Sequence, residues 1–211
     1  MLSAQLSYDI TDWLNIAGRV RVDNSHTKYE QKLYASSNAT ITEESTQGHY
    51  TIAKPDETQT YADVLANINK RFGDYSLVAN VGASIVNNKY EELSYRGPIR
   101  EKGIPNVFNV FDLDNAKKKA RQDEWQEQTQ SVFASVEVGW KSMLYLTLTG
   151  RNDWASQLAN SSTSSFFYPS VGLSGIISEM VQMPSFIDYM KVRGSFSSVG
   201  MPYPRNLTSP T

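Results

Sequence analysis

The sequence predicts an all-β fold, built as an antiparallel up-and-down sheet of about eight strands. Three observations support this prediction. Apolar and polar residues alternate in eight segments, short and long connections alternate between those segments, and a helical period is almost absent. Alternation with a period of two residues is typical of strands whose two faces meet different surroundings.

The first hairpin shows this pattern most clearly. Apolar side chains occupy every second position of residues 2–10 and again of residues 14–22. Only residues 11–13 separate the two segments, which predicts antiparallel pairing around a tight turn. A transmembrane strand needs about 9–11 residues, so each segment is long enough to cross a membrane.

The same alternation recurs along the rest of the chain. Further strands are predicted at residues 60–72, 75–85, 131–140, 144–151, 167–177 and 190–197. A charged run at residues 114–130 contains neither Gly nor Pro, and part of it is predicted to form a short helix within a loop.

The connections between these segments differ in length at the two ends of the predicted sheet. Short turns close one end, at residues 11–13, 73–74 and 141–142, and long polar loops close the other, at residues 32–59, 91–123 and 155–164. This regular alternation is typical of transmembrane up-and-down barrels, which have tight periplasmic turns and long extracellular loops. Aromatic residues flank the short turns, as expected at the level of membrane headgroups; they are Trp13, Phe72, Tyr75 and Trp140.

The composition is compatible with such a barrel. The mean hydropathy is −0.44 and 40% of the residues are hydrophobic, and no run reaches the roughly 18 apolar residues of a membrane-spanning helix. Transmembrane strands expose only alternate residues to lipid, so a low mean hydropathy does not exclude them.

The net charge of −2 gives no electrostatic case for binding to nucleic acid. The absence of Cys excludes disulfides and thiolate metal sites.

The two faces of the predicted strands differ in charge. Alternation alone would also fit a soluble sandwich with its apolar faces packed inward. However, a charge at the bilayer midplane costs roughly 2–4 kcal/mol. The apolar face is nearly free of charge, which favours contact of this face with lipid. Lys70 is the exception, and its position near the turn at 73–74 lets its stem reach the interface. The charged residues of the polar face, predicted to face a lumen, are Arg19, Arg21, Asp63, Glu137, Arg151, Asp153, Lys191 and Arg193.

Sequence features that suggest enzymatic chemistry are weak. His26 and His49 lie in or near one long loop, but no second pair of ligands has suitable spacing for a metal. Residues 172–175 are one residue short of a nucleophile elbow and lie in a strand pattern. Residues 112–115 resemble the start of a calcium loop, but Lys117 and Asp123 stand where Gly and Glu are required. We therefore predict no enzyme, no metal site and no cofactor.

Three stretches in the last third of the chain carry a more specific pattern, TGRNDW at 149–154, FFYPSVGLS at 166–174 and MKVRGSFSSVG at 190–200. In order and spacing they resemble segments of the SusC/RagA family of TonB-linked outer-membrane transporters. The departures are Ala155, Gly175 and Met201, where Ser, an aromatic residue and Asn are common. The motif residues are Arg151, Asp153, Trp154, Tyr168, Pro169, Ser170, Lys191, Arg193 and Gly200.

This resemblance implies a function in nutrient import across the outer membrane of a Gram-negative, Bacteroidetes-type bacterium. Members carry glycans or oligopeptides through 22-stranded barrels that an N-terminal plug domain fills. A SusD-like surface lipoprotein caps the barrel, and the TonB complex energises it through the N-terminal part. Residues 1–211 would be one partial barrel domain in contact with outer-membrane lipid, without the plug domain and the TonB box.

The resemblance also implies a fragment, and the first residues lack the basic and apolar pattern of a secretory signal. We therefore expect an open arc of a larger barrel whose first and last strands do not pair with each other. Two other functions remain open from the sequence. One is a passive outer-membrane porin or channel, and the other is a soluble β-sandwich that serves as a carbohydrate-binding module.

Overall fold

The computed structural model describes residues 1–159, 165–184 and 186–200, and antiparallel strands dominate them. The strands are β1 (Leu2–Thr11), β2 (Leu14–His26), β3 (Tyr29–Leu33), β4 (His49–Phe72), β5 (Tyr75–Pro98), β6 (Lys119–Trp140), β7 (Leu144–Ala155), β8 (Ser165–Ile176) and β9 (Lys191–Ser197). One α-helical turn, α1 (Ile177–Met180), follows β8. The 3-10 turns Val110–Asp112 and Ser156–Leu158 lie in connections.

All nine strands belong to one sheet, which confirms the predicted fold class. The order is β1-β2-β4-β5-β6-β7-β8-β9, so consecutive long strands are neighbours, and the short β3 pairs with the start of β4. Strands β1 and β9 stand at the two ends of this order and are not paired with each other within the described residues. The prediction of an open arc is therefore confirmed.

The short turns lie where the sequence places them, and backbone hydrogen bonds join each turn region to its neighbour. The Asn69 N–H donates to the Trp13 carbonyl (2.9 Å), and the Lys141 N–H donates to the Asp74 carbonyl (2.7 Å). Gly73 has φ = +59°, a left-handed value that glycine adopts without steric cost. Consecutive strands are therefore tied together at this end by tight turns.

The long connections are shorter than predicted, because the strands continue into them. Residues 49–59, 91–98 and 119–123 belong to β4, β5 and β6, so the prediction of loops there is wrong. The helix predicted within residues 114–130 is also wrong, since β6 begins at Lys119. These segments lack a regular contrast between an apolar and a polar face, which removes the alternation by which a strand is recognised. Residues 160–164 of the third predicted loop lie outside the described residues.

The contacts divide the chain into two compact units. The first, here called the strand unit, comprises Met1–Val22, Thr60–Asn87 and Glu127–Thr211, and the second, the loop unit, comprises Asp23–Gln59 and Asn88–Gln126.

In the strand unit, the register sorts side chains onto two faces. Val136 lies opposite Leu148 on one face, and Glu137 lies opposite Thr147 on the other. The apolar face is uncovered, with Leu6 79% and Leu173 52% exposed. Within the described residues no second sheet covers this face, which argues against a sandwich whose apolar side chains pack between two layers.

The polar face of the strand unit is tightly packed in places. Gly82 lies beneath the ring of Phe133, and a Cβ atom on Gly82 would lie 2.7 Å from the ring's Cζ and 2.8 Å from the Val64 carbonyl oxygen. The carbonyl oxygen belongs to the backbone of the neighbouring strand and cannot move aside cheaply. The space above Gly82 is therefore needed for the phenylalanine ring.

The loop unit has a small buried cluster where two connections, residues 34–48 and 99–118, meet. The Ser45 hydroxyl donates to the Ile99 carbonyl (2.8 Å), and the Asn106 N–H donates to the Gln47 carbonyl (3.0 Å). Four residues of this cluster are almost fully buried, namely Thr42, Tyr50, Ile99 and Leu113. These connections are therefore ordered by specific contacts.

His49 lies at the edge of this cluster and is only 6% exposed. Its Nε2 lies 3.6 Å from a carboxylate oxygen of Glu43, and its Nδ1 is buried without a hydrogen-bond partner. Burial lowers the pKa of His49 below its usual value of 6.5; Glu43 opposes this shift, and the charges of Arg96 and Lys119 add to it. The folded loops therefore favour the neutral imidazole.

We predict that Gly82→Ala destabilises the intact protein by about 1–3 kcal/mol, the usual range for overpacking a close contact. The measurement is the urea midpoint of unfolding of the intact protein. Gly172→Ala is the matched control, because a Cβ atom there meets its nearest neighbours at ordinary distances of 3.7 and 3.8 Å. Equal midpoints for the two variants would contradict the packing described for Gly82.

We also predict that acidification loosens the loop cluster. Because the folded pKa of His49 is lowered, the stability that it contributes is complete above about pH 6.5 and is lost as the pH falls below that value. Hydrogen exchange of residues 34–48 and 99–118, corrected for the intrinsic rate, should therefore rise between pH 7.5 and pH 5. His49→Gln should remove this dependence, whereas His26→Gln, which changes an exposed histidine, should keep it. An unchanged pH dependence in His49→Gln would refute the assignment.

Candidate functional site: the polar face of the sheet

The polar face of the strand unit gathers the charged residues singled out in the sequence. Arg19 and Arg21 of β2 lie opposite Gln5 and Ser3. In β6, β7 and β9, the residues that lie opposite the charged side chains on the neighbouring strand show that these side chains belong to the same face. These pairs are Glu137 with Thr147, Arg151 with Phe133, Asp153 with Ser131, Lys191 with Ile176 and Arg193 with Ser174.

The best-ordered charge pair of this face joins Arg19 and Asp63. The Arg19 Nε lies 3.1 Å from both carboxylate oxygens of Asp63, and its Nη2 lies 2.6 Å from Oδ2. The Tyr61 hydroxyl donates to the same Oδ2 at 2.5 Å. The Asp63 side chain is only 1% exposed, so its charge is neutralised inside the sheet surface by these donors. Charge-assisted bonds of this kind fix β2 against β4.

A second charged group surrounds Arg151 in β7. Its Nε donates to Asp153 (2.6 Å), its Nη2 donates to the buried Ser131 hydroxyl (2.8 Å), and its guanidinium carbon lies 5.7 Å from the centroid of the Phe133 ring. Tyr168 lies directly opposite Arg151 on β8. The arginine is therefore held in place by an acid, a hydroxyl and a ring, and part of it stays accessible.

A third group lies near β9 around a cavity of about 330 Å³. Its polar lining includes Glu137, Thr147, Ser174, Lys191, Arg193 and Ser195. Glu137 accepts a hydrogen bond from Thr147 (3.2 Å), and Lys191 lies 5.7 Å from the centroid of the Tyr145 ring. Neither Lys191 nor Arg193 forms an ion pair with another described residue, so this recess presents two cationic groups to solvent.

Most of the family-motif residues take part in contacts between strands or pack against aromatic rings. The Pro169 carbonyl accepts from the Ser198 N–H (3.1 Å), and the hydroxyls of Ser170 and Thr149 lie 2.5 Å apart. Gly200 packs beside the rings of Phe166 and Tyr168, because a Cβ atom there would lie 3.4 and 3.6 Å from them. Trp154 lies instead on the apolar face, opposite Ser165. Some motif residues therefore contribute to strand pairing, and others pack with aromatic rings.

Sequence reasoning missed two residues of these groups, Tyr61 and Ser131. Both stand two positions from a charged or bulky residue on the same face, Tyr61 beside Asp63 and Ser131 beside Phe133. This spacing of two positions is the sequence signal by which they could have been identified. Their roles depend on contacts between strands, which spacing within one strand does not reveal.

The chemistry of this face is that of a polar surface. It offers guanidinium, ammonium, carboxylate and hydroxyl groups spread over many strands, suited to hydrogen bonding with water and polar solutes. Residues 1–159, 165–184 and 186–200 contain no group of three or more His, Cys, Asp or Glu side chains placed to hold a metal ion. The same part of the chain contains no helix long and apolar enough to cross a membrane.

Comparison with solved structures shows the same fold in other proteins. The RagAB peptide transporter matches with a TM-score of 0.76 at 14% sequence identity, over 92% of this chain and 22% of that chain. The RagAB peptide importer in a "closed-closed" state matches with a TM-score of 0.69 at 15% identity, over 92% of this chain and 22% of that one. The siderophore receptor PiuA from Acinetobacter baumannii matches with a TM-score of 0.50 at 15% identity, over 93% and 28%.

This chain thus spans 22–28% of the length of these structural relatives. No curated protein is similar enough in sequence to match it.

Comparison with protein families gives a match over the entire chain. The model described as "TonB dependent receptor-like, beta-barrel" covers residues 1–211. The family consists of outer-membrane transporters and receptors and is not an enzyme family. The predicted membership of the TonB-linked outer-membrane barrels is thereby confirmed, and the chain belongs to the TonB-dependent receptor β-barrel family.

Proposed function

We propose that this chain is part of the barrel wall of a SusC/RagA-type importer that carries oligopeptides or glycans across the outer membrane of a Bacteroidetes-type bacterium. The observation that carries the proposal is the single-layer sheet with one uncovered apolar face and one charged polar face. The fold likeness to the RagAB peptide transporter supports the SusC/RagA assignment and makes peptides the first substrates to test.

In this proposal the polar face lines the transport path. The residues concerned are Arg19, Arg21, Asp63, Glu137, Arg151, Asp153, Lys191 and Arg193. Arg19 and Asp63 neutralise each other, so their role is to hold two strands together. Lys191 and Arg193 lack a carboxylate partner among the described residues, which makes them the better candidates for contact with a plug domain or an anionic substrate group.

The proposed partners follow from the same assignment. A SusD-like surface lipoprotein would cap the barrel, and the TonB complex would act through an N-terminal plug. The fold likeness to RagAB supports the SusC/RagA assignment from which these partners follow. Lipid of the outer membrane would contact the apolar face, where large side chains such as Leu6 and Phe196 are exposed.

A passive porin is the alternative within the membrane. Its wall would show the same alternation, the same turns and the same charged lumen. Energy dependence separates the two functions, because a porin conducts its solutes without TonB.

We predict TonB-dependent uptake by the full-length receptor. Cells that carry it as their only importer of this kind are given labelled oligopeptides and, separately, labelled oligosaccharides, and accumulation is measured with and without TonB. One substrate class should accumulate, and accumulation should fall to the level of receptor-free cells when TonB is deleted. Accumulation that continues unchanged without TonB would establish the porin. Failure of both substrate classes to accumulate would overturn the proposed import of peptides or glycans.

A further inference from the structure

The rim of short turns carries two lysines that lie against aromatic rings. The Lys70 Nζ lies 4.6 Å from the centroid of the Trp13 ring and 5.3 Å from that of Phe72. The Lys141 Nζ lies 5.3 Å from the centroid of the Trp140 ring. All of these residues belong to the strand unit, and the rings hold both ammonium groups at the level of the turns.

Lys70 is the charged exception on the apolar face. In the described part of the chain its recorded partners are the two rings, and no carboxylate forms an ion pair with it. Attraction to a ring face leaves the three N–H donors of an ammonium group available for other acceptors. Lys70 is therefore a positioned cation without a counter-anion among the described residues.

Lys141 has a similar position in the next turn. It has φ = 52° and Ser142 has φ = 58°, left-handed values that are strained for residues with a Cβ atom. Asp74 lies 3.8 Å from the Lys141 ammonium, but both side chains are largely exposed, and pairs of this kind contribute little. The turn therefore places a second cation, only loosely paired, against Trp140.

A recess next to these turns adds a third cation. A cavity of about 260 Å³ is lined by Arg71, Asp74, Tyr75, Lys141 and Ser142, together with Gly73 and Ser76. It combines two cationic groups and three hydroxyl groups with one carboxylate, that of Asp74. An anion with several acceptor oxygens fits this set of donors better than a neutral solute does.

The surroundings of the two lysines indicate where such an anion comes from. Trp13, Phe72, Tyr75 and Trp140 are partly exposed and continue the uncovered apolar face. In an outer-membrane barrel, amphipathic rings at the short-turn end lie at the headgroups of the periplasmic leaflet. The anions at that depth are the phosphodiesters of phospholipids. The two lysines therefore lie where the lipid-facing surface meets the hydrogen-bond donors of the rim.

We propose that the rim of short turns binds phospholipid at two places, where Lys70 beside Trp13 and Lys141 beside Trp140 each bind the headgroup phosphate of a periplasmic-leaflet lipid. The acyl chains of each lipid lie along the apolar face next to the tryptophan. This inference depends on the membership of the barrel family and not on the proposed substrate, so it is tested separately from import.

The test is native mass spectrometry of the detergent-solubilised, full-length receptor titrated with phosphatidylglycerol. The double variant Lys70→Gln/Lys141→Gln should bind the lipid more weakly, by about fivefold at each of the two places. Lys54→Gln, which changes an exposed lysine of the loop unit, is the matched control and should bind like the wild type. Heat-modifiable mobility on gels verifies that each variant is folded.

Inorganic phosphate in excess distinguishes a lipid site from a general phosphate site. The proposal predicts that phosphate leaves most of the lipid bound, because the acyl chains and rings contribute to binding. Displacement of the lipid by inorganic phosphate would overturn the assignment to a phospholipid. Equal lipid affinity of the wild type and the folded double variant would overturn the two sites themselves.

Discussion

A strand inside a bilayer must form its backbone hydrogen bonds with neighbouring strands, because lipid offers neither donors nor acceptors. The architecture of this chain follows from that constraint. Consecutive long strands are neighbours, turns of two or three residues join them at one end, and hydrogen bonds such as that from the Lys141 N–H to the Asp74 carbonyl tie one turn to the next. Strands β1 and β9 retain one unpaired edge each within the described residues, as expected of an arc that continues into a larger barrel.

The same constraint determines how the side chains stabilise the sheet. A single layer has no interior, so within the described residues the large apolar groups of one face have no second sheet to pack against. Specific packing is concentrated on the polar face, where Asp63 is buried under Arg19 and Tyr61, and where Gly82 makes room for Phe133. These contacts hold neighbouring strands in register, and they position the remaining charges along a surface that polar solutes can approach.

Sequence reasoning recovered the strands that have a clear contrast between their faces. Residues 2–10 and 144–148 were predictable because every second side chain is apolar. The outer parts of β4, β5 and β6 were missed because that contrast disappears: Tyr90 and Glu92 lie on one face of β5, while Lys89 and Glu91 lie on the other. The short β3 was missed for the same reason, and the charged start of β6 resembled a helix because nothing local marks its pairing with β5.

The candidate site was predictable as a set of charges but not as a set of contacts. Alternation identified Arg19 and Asp63 as residues of one face, whereas their pairing depends on the register of β2 and β4, which are 44 residues apart at that point. The motif residue Gly200 shows the same limit. The pattern singles it out, but only the fold shows that it lies beside the rings of Phe166 and Tyr168.

The central claim is that one face of the sheet meets lipid and the other meets water. Residues 148 and 149 are adjacent in β7 and point to opposite faces, and the chain contains no cysteine of its own. The most direct measurement is labelling of Leu148→Cys and Thr149→Cys in the membrane-embedded receptor with a water-soluble, membrane-impermeant maleimide. The account predicts that the thiol at position 149 reacts and the thiol at position 148 is protected. Labelling at position 148 with protection at position 149 would contradict it.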